Sequence, residues 1–136
     1  MEVRVKTIPE HYKVGQQLII QWDITYSSLI TIKISYLKYW INGRGIEIAN
    51  SNTKLNAFGI ALFDNKANFS ITSNKIIVTI YRLEYTDHYQ FTGMAICGNV
   101  GQKPLNDSTS INITIKQGTI QLIKRLFNII LKMPIV

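Results

Sequence analysis

The chain has 136 residues, room for one domain with a real core and too little for two. Isoleucine occurs 24 times and alanine 5 times, which argues against an all-helical fold, because β-branched side chains suit a pleated surface better than a helix. The single cysteine, Cys97, excludes an intrachain disulfide and a cysteine-based zinc or iron–sulfur site, and a net charge of +7 permits an anionic partner without naming one.

Short strand-like runs separated by turn signals fill residues 1–117. Val3 to Ile8 alternates and stops at Pro9. Gln16 to Ile24 places Leu18, Ile20, Trp22 and Ile24 on one face. Thr31 to Ile41 is a long apolar and aromatic run closed by Asn42-Gly43, a hairpin turn signal. Ile46 to Ala49 is a short strand. Phe58 to Phe63 and Asn68 to Thr72 read as two more, split by Asp64-Asn65-Lys66. Ile76 to Leu83 and Gln90 to Cys97 follow, then a polar loop from Gly98 to Asp107. Ser108 to Ile115 alternates, with Ile111, Ile113 and Ile115 on one face. Eight or nine strands with no internal helix predict an all-β antiparallel sandwich or barrel.

Residues 118–136 differ from the rest, and their apolar spacing fits a helix with Lys124, Arg125 and Lys132 inside it. These cations and the short length argue against a membrane span. Three readings stay open: a basic amphipathic helix touching a membrane surface or a partner, a helix packed on the domain, and a non-native tail from a truncated reading frame. The tail holds three of the positive charges and no acid, leaving +4 on residues 1–117. No signal-peptide pattern is read at the start, so the expectation is either a cytosolic protein or a mature or incomplete version of a secreted one. The sequons at Asn68, Asn106 and Asn112 nevertheless hint at the secretory pathway, against chance in an Asn-rich chain.

The segment Val78-Thr-Ile80-Tyr-Arg-Leu83-Glu-Tyr-Thr-Asp87-His-Tyr-Gln-Phe91-Thr-Gly93 resembles strands E and F of an immunoglobulin domain. Val78, Ile80, Leu83 and Asp87 match that pattern. Tyr89 stands where the family has glycine, Phe91 at the tyrosine-corner position and Gly93 at the second cysteine. Gly15-Gln-Gln-Leu18-Ile-Ile20-Gln-Trp22 is similar to strand B, with Trp22 at the first cysteine. Lys33 to Gly43 is similar to strand C, and Asn68-Phe69-Ser70 to the start of strand D, with asparagine where arginine is frequent. The resemblance covers residues 3 to 116. The distance from Trp22 to Gly93 leaves room for the extra strands of a variable-type domain. A variable-like domain without the inter-sheet disulfide also resembles those of invertebrate, especially cnidarian, cell-surface and allorecognition receptors.

The resemblance implies that Trp22 and Gly93 replace the disulfide by a volume swap, the alternative being that Gly93 is a bulge and Trp22 simply a core residue. Burying an aromatic of about 150–250 Å² offsets a bridge worth about 2–5 kcal/mol. It also implies that Asp87 takes a neutral hydrogen bond from Asn68, or one from Arg82 or nearby backbone, in place of the usual arginine pair. Phe91 cannot make the tyrosine-corner hydrogen bond. Together with Leu83, these residues form the expected structural core. Cys97 shares the inward parity of Phe91 and Gly93 and reads as a buried structural thiol.

No catalytic constellation emerges. His88 lies beside Asp87 in a turn, His11 stands alone, the carboxylates are scattered, and neither a dinucleotide nor a P-loop motif occurs. No enzyme activity, cofactor or metal is expected. Binding is the better reading. With Leu37, Tyr39 and Ile41 inward, Tyr36, Lys38 and Trp40 point outward, and on the neighbouring strand so do Thr92, Met94 and Ile96. Tyr36, Lys38, Trp40, Met94 and Ile96 are the expected partner-binding residues, in a patch of the kind that marks partner surfaces. A slip of one residue would turn Trp40 inward, and Ile32 and Ile34 share its parity. Asn112 has outward parity on the same sheet, where a glycan would crowd the patch.

The expectation is a non-catalytic extracellular or cell-surface recognition or adhesion domain that binds protein partners, homophilic pairing included. The alternatives are a secreted sandwich binding an anionic ligand such as a glycan, and a truncated product without independent function. Nucleic acid is not an expected partner, because the basic residues of 1–117 are spread along the chain.

Overall fold

The computed structural model describes residues 2–8, 14–27, 30–84, 88–114 and 130. Among residues 2–114 as described, the elements in order are β1 (Val3–Ile8), β2 (Leu18–Tyr26), β3 (Ile32–Ile41), β4 (Arg44–Asn50), β5 (Lys54–Leu55), α1 (Ala57–Phe63), β6 (Ala67–Ile71), β7 (Lys75–Ile80), β8 (His88–Gly98) and β9 (Leu105–Thr114). They form two antiparallel sheets, one ordered β1-β2-β7-β6 and one ordered β5-β4-β3-β8-β9. The fold is an all-β sandwich, as the strand-rich composition predicted.

Alternation explains the interior. Leu18, Ile20, Trp22 and Ile24 of β2 and Ile76, Val78 and Ile80 of β7 face the core, as do Leu37 of β3 and Phe91, Ala95 and Cys97 of β8. One end of the core is aromatic. Phe63 meets Tyr39 and Phe69 edge-on at 5.0 and 5.3 Å between ring centroids, and Phe91 lies 5.1 Å from Tyr39. Edge-on packing sets the positive rim of one ring against the negative face of another.

Two features of β3 and β4 set the outer surface. Ile41 pairs with Arg44 across a two-residue turn, Asn42-Gly43. Both turn residues have positive φ, 51° and 78°, which is what a primed hairpin turn requires and what asparagine and glycine tolerate. A bulge then falls opposite Leu37 and Lys38, where Leu37 pairs with Ala49 and Lys38 with Glu47. Ile48 is the extra residue, and it turns inward beside Ala49.

Several boundaries differ from the sequence expectation. Phe58 to Phe63, read as a strand, belongs to a helix. Its apolar run is short enough for either element, and the cap decides: the Asn56 side chain accepts from Gly59 N at 3.0 Å. Asn56 also donates from Nδ2 to Glu47 O at 2.7 Å, tying the helix start to β4. The loop expected from Gly98 to Asp107 is shorter, because β9 begins at Leu105, opposite Cys97. The two-residue β5 was not anticipated. β7 ends at Ile80, and Leu83 lies beyond it, buried and held by backbone bonds to Gly15 and Gln16.

Side chains close the sandwich where β1 and β9 meet. Val5 N donates to Asp107 Oδ2 at 2.8 Å, and Thr109 Oγ1 donates to Val5 O at 2.6 Å. Edge-strand groups that lack a neighbouring strand thereby find partners.

Candidate interaction face

The geometry of the outer face begins in the core behind it. Trp22 is 0% exposed, and its Nε1 donates to Thr109 O at 3.0 Å. A Cβ placed on Gly93 would stand 2.7 Å from Trp22 Cγ and Cδ1. No real side chain tolerates that approach, so the indole occupies the space a larger residue at 93 would need. Trp22 also meets Phe91 edge-on at 6.4 Å. The β2 and β8 positions that the resemblance equates with a disulfide are thus in direct contact.

On the far side of the five-stranded sheet, register sets the outward residues side by side. Tyr36 pairs with Met94, Ile34 with Ile96, and Lys38 with Thr92. On the other flank Trp40 pairs with Gly45 and Lys38 with Glu47. Ile32 and Ile34 share this face with Trp40, and Ile32 is 48% exposed. They extend the apolar patch and do not compete for the core. Beyond β8, β9 presents Asn106, Ser108, Ser110 and Asn112, so a polar row borders the apolar one.

Trp40 lies across three strands. Its Nε1 donates to Thr92 Oγ1 on β8 at 2.8 Å, and Thr92 Oγ1 lies 2.7 Å from Ser110 Oγ on β9. Its six-membered ring covers Gly45 on β4: a Cβ there would sit 3.1 Å from Cε2 and Cζ2. Thr92 points outward, as its parity predicts, yet is only 5% exposed because the indole roofs it. Gly45, Thr92 and Ser110 were not among the expected site residues. The Asn42-Gly43 turn already implies the pairing of 40 with 45, whereas the hydroxyl chain has no sequence signature.

The remaining expected residues fall as follows. Tyr36, Lys38, Trp40, Met94 and Ile96 share the outer face and are each half-buried. Leu83 and Phe91 are buried, and Phe91 stacks on Tyr89 at 6.1 Å. Asn68, Asn106 and Asn112 are all exposed, Asn68 on the four-stranded sheet and the other two on β9. Asn106 pairs with Ile96 and so borders the patch more closely than Asn112, which pairs with Gln90. Asp87 lies outside the described residues, and so does the tail 118–136 apart from residue 130. Arg82 Nε sits 2.9 Å from Glu84 Oε1.

Cys97 is buried near Tyr26, whose hydroxyl donates to Ser73 O at 2.6 Å. Burial, and secondarily Cys97, push the Tyr26 hydroxyl up to about 12. Among the described residues no group of three or more His, Cys, Asp or Glu side chains is placed to hold a metal, and no helix is long and apolar enough to cross a membrane.

The chain matches no family model and no curated protein. It is similar in structure to murine CRIg, with a TM-score of 0.65 at 10% identity over 86% of this chain and 100% of that one. It is also similar to a chain from a structure titled for the basis of T cell specificity and activation by the bacterial superantigen toxic shock syndrome toxin-1. That match has a TM-score of 0.60 at 12% identity and covers 83% of this chain and 98% of that one. The fold is an immunoglobulin-like β-sandwich. In this immunoglobulin-like domain the patch occupies the outer surface of the β5-β4-β3-β8-β9 sheet, supported from behind by the core around Phe91 and Ala95.

Proposed function

We propose that the chain is a recognition domain, displayed outside the cell, that binds a protein partner through the outer face of its five-stranded sheet, with a second copy of itself as the partner. The observation that carries this reading is the row of Tyr36, Trp40, Met94 and Ile96, extended by Ile32 and Ile34, on adjacent strands of one solvent-facing surface. Patches of aromatic, Met and aliphatic residues of this kind are typical of protein interfaces.

Charge favours a second copy. On this face Lys38 and Glu47, a cation and an anion, stand side by side across β3 and β4. A two-fold interface repeats every contact in both directions, so Lys38 of one copy can meet Glu47 of the other twice. A like-charged chain of net +7 approaches itself best where opposite charges such as Lys38 and Glu47 offset each other. Extracellular display is supported by the exposure of Asn68, Asn106 and Asn112. A glycan on Asn106 would shadow Ile96, and contact centred on β3 and β4 avoids it.

Sedimentation velocity of the full chain over a concentration series tests the reading. The expected result is a reversible dimer that Trp40→Asp weakens roughly thirtyfold, as truncating a central aromatic anchor does. A chain that stays monomeric at every concentration overturns the homophilic reading. Retention on a polyanion matrix that collapses with salt, unaffected by Trp40→Asp, would move the function to an anionic ligand.

A further inference from the structure

The Trp40 side chain is tethered at both ends, and an exposed aromatic needs no such tether to be apolar. Its N–H end is held by Thr92 Oγ1 at 2.8 Å, and that hydroxyl is itself engaged by Ser110 Oγ at 2.7 Å. Its six-membered ring rests over Gly45, where even one methyl group would press on it at 3.1 Å. Three strands thus contribute one residue each to a seat for a side chain on a fourth. Thr92 is buried under the ring, so its hydroxyl has given up water to make this bond.

We propose that Thr92, backed by Ser110 and by the bare backbone of Gly45, is a positioning residue that locks Trp40 flat across β4, β3 and β8 before any partner arrives. This rests on the reading of the face given above and adds to it the device that fixes the ring. A ring already in its bound orientation does not lose rotamer freedom on association, so the cost of ordering it is met during folding. The hydroxyl pair acts as a chain: Trp40 donates to Thr92, and the Thr92 and Ser110 hydroxyls share the next bond, each polarising the other. Seen this way, the polar row of β9 is part of the apolar patch's construction, although Ser110 itself touches solvent.

The test uses the full chain with Thr92→Val, which keeps the shape and removes the acceptor, Thr92→Ser, which restores it, and Gly45→Ala, which lifts the ring from the other side. Two readouts are taken on each variant. The first is the pair of indole N–H resonances, one per tryptophan, with their hydrogen-exchange rates. The second is the self-association constant from sedimentation. Thr92→Val is expected to shift the Trp40 resonance and speed its exchange. The Trp22 resonance, held by Thr109 O, should stay in place. Self-association is expected to weaken roughly fivefold. Thr92→Ser should return both readouts to parental values, and Gly45→Ala should weaken association by a similar factor.

A Trp40 resonance that moves while association stays unchanged overturns the positioning role and leaves the face intact. A parent that does not associate at all overturns the homophilic reading and this inference together. Should Thr92→Val fail to fold, Gly45→Ala and the milder Ser110→Ala carry the same decision. If both leave association at the parental value, the positioning role is overturned.

Discussion

Each of the two tryptophans in this chain covers a glycine on another strand, and each indole N–H has an acceptor. Trp22 does so between the sheets, against Gly93 of β8, and is fully enclosed. Trp40 does so within one sheet, over Gly45 of β4, and is half in solvent. The local device is the same: a flat ring laid where a missing Cβ leaves room. The consequence differs with the side of the sheet. Inside, the ring bears on the packing of both layers, so its contribution is to folding. Outside, it faces water on one side, so its rigidity adds little to folding and is free to serve binding. Removing either glycine therefore tests different properties of the same molecule.

The largest expected effect is on the buried pair. Gly93→Val forces a branched side chain into the Trp22 ring and should cost about 3 kcal/mol of stability, or prevent folding. Urea unfolding with matched slopes measures it, and an unchanged midpoint would remove Trp22 from that space. On the outer pair, Trp40→Asp should cost about 2 kcal/mol of self-association and about 1 kcal/mol of folding, the latter through the lost hydrogen bond to Thr92. Equal losses in both would mean that the outer ring is structural and that the contrast drawn between the two tryptophans fails.

Asn56→Ala, remote from both rings, should cost about 1 kcal/mol through loss of the α1 cap and leave association untouched. It serves as the control for a purely structural change.

The smallest effect concerns Tyr26. In the fold its hydroxyl holds its proton up to about 12, against 10.0 for the free side chain. Its contribution to stability is therefore fully present below pH 10 and is lost as pH rises towards 12. Thermal melts across that window should fall more steeply for the parent than for Tyr26→Phe. Parallel curves would contradict the shift.

Much of the fold was legible because the core strands alternate cleanly. In β2, Leu18, Ile20, Trp22 and Ile24 mark one face without ambiguity, and the same holds for Ile76, Val78 and Ile80 in β7. The inward parity of Leu37 was readable too, and with it the outward set Tyr36, Lys38 and Trp40. The segment 58–63 was not legible. Phe-Gly-Ile-Ala-Leu-Phe satisfies a short strand and a short helix equally, and the deciding group, Asn56, lies outside the apolar run. The bulge at Leu37 and Lys38 was equally hidden, because Ile48 and Ala49 are adjacent apolar residues that alternation cannot both place inside.

The chain's composition and periodicity by themselves determined an antiparallel β-sandwich or barrel, and the Asn-Gly turn determined which residues of β3 and β4 meet. Those are local properties, set by side-chain parity and backbone dihedrals. Tertiary structure alone decided that Gly93 would give its space to Trp22, that Thr92 would be roofed by Trp40, and that Asp107 and Thr109 would close the β1 edge. Each of these joins residues far apart in sequence, and only the tertiary packing of strands and layers brings them into contact.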